Sequence, residues 1–165
     1  MQFEIKNRFT GAVQFTAEID STDDTPLSIK IGLSVKWAIK TGSDLAGASL
    51  EDAYLEDANL AGANLARANL AGANLADADL EDANLARANL VDGGQRSDGY
   101  RLVGWIKDGE LQIRAGCRNF TIPEAREHWA RTRGGTPLGD ETMCILDHIE
   151  AVARIRGLIP AQEVK

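Results

Sequence analysis

The sequence lacks most of what would tie it to a familiar chemistry. Its two cysteines, Cys117 and Cys144, are too few for a disulfide framework, and the expected compartment is the cytoplasm. No run approaches the roughly 18 apolar residues of a membrane span, which argues against a membrane partner. The opening "MQFEIKNRFT" carries charge early and has no apolar stretch of the kind a secretory signal needs. Neither a G-x-S-x-G elbow, a P-loop nor an H-E-x-x-H helix occurs. The reading is therefore of a protein that is not an enzyme and needs no cofactor.

What is present is acid, and it is unevenly placed. The formal net charge is -7. Between Asp44 and Asp92 lie ten carboxylates, opposed only by Arg67 and Arg87, so this stretch carries -8 and the remainder of the chain +1. Leucine fills positions 45, 50, 55, 60, 65, 70, 75, 80, 85 and 90 of the same stretch. Alanine stands two residues before leucine in nine of those ten repeats, and Asn or Asp mostly stands one before. A helix turns about 100° per residue, so a five-residue step overshoots a full circle by about 140° and leaves no buried stripe. In a strand, an odd period would send successive leucines to opposite faces. Ten coherent leucines instead predict a solenoid in which each repeat buries its Leu and the Ala before it.

With A-(D/N)-L-X-X running over about residues 43–92, the chain resembles the pentapeptide-repeat family. That resemblance implies a right-handed quadrilateral β-helix with four repeats per coil, Leu inward and a small residue beside it. It carries over no catalytic residue. Residues 20 apart would then stack at about 4.8 Å, and ten repeats would make a rod about 12 Å tall. Sorted by face, Arg67 and Arg87 stack on one side. A second side shows Glu56, Asp57 and Asp77, a third Asp79, Glu81 and Asp82, and the fourth Glu51, Asp52 and Asp92.

The flanks read as caps and an appendage. Residues 2–19 alternate as two strands around Thr10-Gly11, a hairpin, and a helix follows up to Gly42, expected to lie over the first coil. "VDGGQRSDG" reads as a linker by composition. Asp108-Gly109 marks a second hairpin turn. Thr121 is a helix N-cap for a helix to about Arg133, and another helix spans roughly 140–157. The expected fold is mainly β, organised as 1–42 (hairpin and capping helix), 43–92 (repeat β-helix), 93–98 (linker) and 99–165 (a ββαα unit). A hairpin-plus-helix tail of this kind is similar to that of pentapeptide proteins of phage or prophage type.

Both cysteines and both histidines of the chain, Cys117, Cys144, His128 and His148, fall in the tail. Cys144 and His148 at i, i+4 share a helix face, a spacing that metal ligands use. The competing reading is two core cysteines, with histidines that are on the surface or hydrogen-bonded. Trp105 and Trp129 read either as anchors of an interface or as core. The acids read either as a solubilising surface or as a partner-binding one comprising Glu51, Asp52, Glu56, Asp57, Asp77, Asp79, Glu81 and Asp82. In the second case the rod bears about one charge per 1.5 Å, near the one per about 1.7 Å of duplex DNA. Some pentapeptide-repeat proteins are described as DNA mimics acting on type II topoisomerase, so the resemblance implies a protein partner that binds DNA. A topoisomerase, a CRISPR effector or another defence nuclease would qualify, with no direct nucleic-acid binding by the repeat. The alternative is a scaffold whose tail docks a partner and whose repeat is a spacer or a rod that pairs two copies into a homodimer.

Overall fold

A computed structural model describes residues 1–116 and 118–160, which divide into two units, Met1–Leu90 and Val91–Lys165. In the first, β1 (Gln2–Lys6) and β2 (Val13–Glu18) form an antiparallel hairpin, and α1 (Leu27–Thr41) follows. The helix ends at Gly42 in the left-handed conformation. Its buried face is Ile31, Gly32, Ser34, Val35 and Ala38. The Ser34 hydroxyl is satisfied by donating to Lys30 O at 2.8 Å.

The repeat that follows returns on itself every twenty residues. Parallel bridges join Ser49 to Asn69, Tyr54 to Asn74, Asn59 to Asp79 and Asn64 to Asn84. Around each, backbone bonds climb from one layer to the next: Leu50 N donates to Asn69 O at 2.8 Å, and Asn69 N to Ala48 O at 2.9 Å. The same two bonds recur at Leu55 and Asn74, Leu60 and Asp79, and Leu65 and Asn84. Four five-residue repeats therefore make one layer. Leu50, Leu55, Leu60, Leu65 and Leu70 are completely buried, with Ala53, Ala58 and Ala68 beside them. Each such leucine removes enough apolar surface to contribute about 1.5–3 kcal/mol.

The cap deals with the open edge of the first layer. Its amides have no layer beneath them, and unpaired edge groups invite foreign strands. Ser49 N donates instead to Lys6 O at 2.8 Å, Arg8 N donates to Gly47 O at 2.9 Å, and Tyr54 N donates to Ser28 O at 2.9 Å. Helix α1 approaches so closely that a Cβ at Gly32 would run into the Tyr54 carbonyl. The expected helix over the first layer is thus in place, with its backbone contact made through glycine.

The second unit is a four-stranded antiparallel sheet with two helices. Its strands are β3 (Val91–Gln95), β4 (Arg101–Lys107), β5 (Glu110–Ala115) and β6 (Arg118–Thr121), in that order across the sheet. Helices α2 (Ile122–Arg133) and α3 (Pro137–Ile155) complete a core around Leu102, Ile113, Trp129, Leu146 and Ile149. Thr121 caps α2 reciprocally with Glu124, a capping box. The Asp108-Gly109 turn joins β4 to β5 with both residues at positive φ, 52° and 81°, as a two-residue hairpin requires.

Three expectations change. Residues 93–98 are not a free linker, because 93–95 complete β3, and a turn follows in which Gly99 N donates to Arg96 O at 2.9 Å. Among the described residues the tail has four strands rather than two, since β4 and β5 each recruit a short edge strand. Among the described residues the regular elements do not show a mainly β fold: helices of 15, 12 and 19 residues stand beside six strands of four to seven. In the repeat, extended backbone is confined to isolated bridges between corners.

Candidate protein-interaction faces of the repeat

The corners of the repeat decide where its charges stand. At nine of them, from Ala48 to Ala88, the alanine N–H donates to the leucine carbonyl three residues earlier, at 3.0–3.2 Å. Each is a β-turn of sequence L-X-X-A, and its third residue has positive φ at every corner. Those residues are Gly47, Asp52, Asp57, Gly62, Arg67, Gly72, Asp77, Asp82 and Arg87. A positive φ at this position suits Gly and is tolerated by Asp, whereas Arg sits there under strain. Four of the eight candidate acids, Asp52, Asp57, Asp77 and Asp82, are therefore corner residues, and all four are exposed.

The residue before each leucine has a different task. Asp79 Oδ1 accepts from Glu81 N at 3.0 Å, as Asn59, Asn69, Asn74 and Asn84 accept from the residue two ahead. This side-chain turn fixes the entry to the corner. The asparagines also bond upward: Asn84 Nδ2 donates to Asn64 Oδ1 at 3.2 Å, and Asn89 Nδ2 to Asn69 Oδ1 at 3.2 Å. Tyr54 interrupts one such ladder, and its hydroxyl donates to Glu56 Oε2 at 2.8 Å. That bond to the carboxylate raises the Tyr54 phenol above its ordinary value.

The eight acids thus fall into two groups. Glu51 Oε2 accepts from Asn69 Nδ2 at 3.2 Å, Glu56 Oε2 from Asn74 Nδ2 at 2.9 Å, and Asp79 closes its own turn. Asp52, Asp57, Asp77, Glu81 and Asp82 present exposed side chains at corners. The bond from Asp57 N to Ala76 O at 3.0 Å sets Asp57 one layer from Asp77. Arg67 N to Ala86 O at 2.8 Å does the same for Arg67 and Arg87. Within the six residues 77–82, four exposed carboxylates occur with no cation among them. Asp92 does not belong to this surface, since it lies in β3 and pairs with Arg101 at 2.7 Å. The sequence offered a signal for the corners that composition alone hides: one position in five alternates between Gly, Asp and Arg, which is the mark of a left-handed backbone.

The tail candidates disperse. Cys144 and His148 are exposed on α3, His128 is half-buried on α2, and Cys117 lies outside the described residues. The core reading of Cys144 is corrected: the buried stripe of α3 is Gly139, Thr142, Leu146, Ile149 and Ala153, and position 144 falls off it. Among the described residues, no three of His, Cys, Asp and Glu are grouped to hold a metal ion. Trp105 and Trp129 are 4 % and 6 % exposed, so they are core residues. No helix among the described residues is long and apolar enough to cross a membrane.

A five-residue period with a twenty-residue return, small residues beside buried leucines and left-handed corners defines a repeat protein whose exterior is free to vary. A family model described as pentapeptide repeats (8 copies) matches residues 41–70 and again 63–92, so this segment is made of pentapeptide repeats. The chain matches none of the curated proteins and none of the solved structures with which it was compared.

Proposed function

We propose that the protein is a non-enzymatic interaction module whose repeat is a right-handed quadrilateral β-helix. Its acidic faces inhibit a DNA-binding enzyme by occupying the groove that DNA would fill. The observation that carries this reading is the fixed placement of exposed carboxylates at rigid corners, with Asp57 and Asp77 in register and Asp77, Asp79, Glu81 and Asp82 on one layer. With Asp92 removed, residues 44–90 hold nine acids and two arginines, a net of -7. Over about 12 Å of stacked layers that is one charge per about 1.7 Å, the axial charge density of duplex DNA. The rod spans only three to four base pairs at about 3.4 Å each. The target groove is accordingly a short one, in a topoisomerase, a CRISPR effector or another defence nuclease, which suits a phage- or prophage-encoded protein acting in the cytoplasm.

A scaffold reading is favoured by one observation. Glu51, Glu56 and Asp79 are already hydrogen-bonded inside the repeat, as acids that merely shape and solubilise it would be. A pull-down from bacterial lysate separates the two. The variant is Glu56→Gln, Asp57→Asn, Asp77→Asn, Asp79→Asn, Glu81→Gln and Asp82→Asn. It keeps the fold, because Asn accepts the same turn bonds and tolerates positive φ. A DNA-binding enzyme held by the intact protein, released by moderate salt and missed by the variant supports mimicry. Identical partners for both proteins reject it and move the search to residues 93–165.

A further inference from the structure

The second unit carries a cleft of opposite character to the repeat. It has a volume of about 480 Å³ and lies between the β6 end of the sheet and α2. Its lining includes Arg96, Arg118, His128 and Arg133, with the rings of Tyr100 and Trp129. Among the described residues one carboxylate reaches it, Asp98, and that group is already committed. Arg96, only 6 % exposed, grips Asp98 through Nε at 2.9 Å and Nη2 at 2.6 Å. Its Nη1 donates to Thr142 Oγ1 at 3.1 Å, and its guanidinium lies 5.1 Å over the Tyr100 ring. The Arg96–Asp98 pair is therefore a neutral, rigid wall.

Arg118 and Arg133 are different. Among the described residues, neither makes an ion pair. Arg118 Nη1 stands 3.4 Å from His128 Nε2, so a permanent cation faces a ring nitrogen instead of a carboxylate. His128 is held in place by its own ring contacts, 5.0 Å from Phe120 and 5.2 Å from Trp129. Among the described residues the cleft thus keeps two guanidinium groups without an ion pair, in a unit of eleven basic and eleven acidic residues and a chain of net charge -7. Guanidinium groups of this kind bind oxyanions, because the planar fork matches two oxygens at once.

We infer that this cleft binds a phosphomonoester. Two guanidinium groups match a dianion, and the His128 ring and the Tyr100 hydroxyl line the same cleft. The volume falls in the range of small-molecule sites, about 300–1,000 Å³. It leaves room for an organic group beyond the phosphate, next to the Tyr100 ring. This site is independent of the acidic repeat, and its failure or success leaves the mimicry reading untouched.

The test titrates the full-length protein with inorganic phosphate and with adenosine 5′-monophosphate. The readout is the three indole N–H resonances of Trp37, Trp105 and Trp129. Adenosine serves as the uncharged control. The expected result is a saturable shift confined to one indole, that of Trp129, with adenosine inert. Arg118→Gln with Arg133→Gln weakens phosphate binding by about tenfold to a hundredfold, the effect of losing charge-assisted bonds. Lys107→Gln, at the end of β4, leaves it unchanged. If the double variant loses its dispersed indole signals, the single Arg133→Gln at the exposed end of α2 takes its place. No saturable shift, a shift common to all three indoles, or binding that survives loss of the arginines overturns the assignment.

Discussion

Exchanging side chains at two neighbouring corners of the repeat should move stability in opposite directions. Gly62 and Arg67 hold equivalent positions, with φ of 67° and 61°. Nothing lies within 4 Å of the place where a Cβ on Gly62 would stand, so Gly62→Ala meets no clash. Its cost is backbone strain alone, about 1–2 kcal/mol for an L-residue in the left-handed region. The stiffer unfolded chain offsets about 0.4–1 kcal/mol of that. The net expectation is a loss of about 1 kcal/mol. Arg67→Gly relieves the same strain and stabilises by about 0.5–1 kcal/mol. Arg67→Ala removes the charge but keeps the strain, and stays within about 0.5 kcal/mol of the parent. Thermal unfolding followed by circular dichroism resolves these effects, since 1 kcal/mol moves the midpoint of a unit this size by roughly 4–8 °C. A neutral Gly62→Ala, or a destabilising Arg67→Gly, would refute the left-handed corners.

Three further expectations test other parts of the structure. Leu65 is fully buried and its layer is pinned by Leu65 N to Asn84 O at 2.9 Å. Leu65→Ala therefore leaves a cavity that cannot collapse and costs about 3–5 kcal/mol in urea unfolding. Thr121→Ala removes the N-cap of α2 and costs about 1 kcal/mol by the same assay. Acid should weaken the second unit selectively. The hydrogen bonds from Arg96 hold Asp98 below the ordinary carboxylate value. Burial pushes Glu150 up, but bonds from Arg126 and Arg154 overcome it and leave it lowered too. Both groups contribute stability that is fully present above the unfolded pKa of about 4 and lost as pH falls through the lowered folded values. Asp98→Asn should flatten this loss in pH-dependent unfolding, and an unchanged slope would sink the assignment.

How much of this was legible follows from how local each signal is. The repeat declares itself because every leucine meets the same environment, so a period survives in the letters even though no helix or strand produces it. Helix α2 was legible through Thr121, Pro123 and Glu124, which act within one turn. Helix α3 begins at Pro137, earlier than expected, because Thr136 caps it by accepting from Gly139 N at 3.1 Å. The letters of β3, "VDGGQ", do not favour a strand, and its pairing with β4 overrides them. The acids were visible as composition, but their division into corner residues and turn-closing residues required the backbone. The cleft of Arg118 and His128 left no trace, since a strand and a helix must pack before those side chains meet.

The most direct test of the account is a competition. Labelled duplex DNA is bound to the enzyme captured by the intact protein, and the protein is titrated in while fluorescence anisotropy reports release. Complete displacement is expected, and direct binding of the protein to the enzyme should weaken steeply with salt because phosphate-like contacts hold it. The sixfold variant with neutralised acids should release none. If the enzyme holds DNA and protein together, the acidic faces do not occupy the DNA site and the repeat is a scaffold.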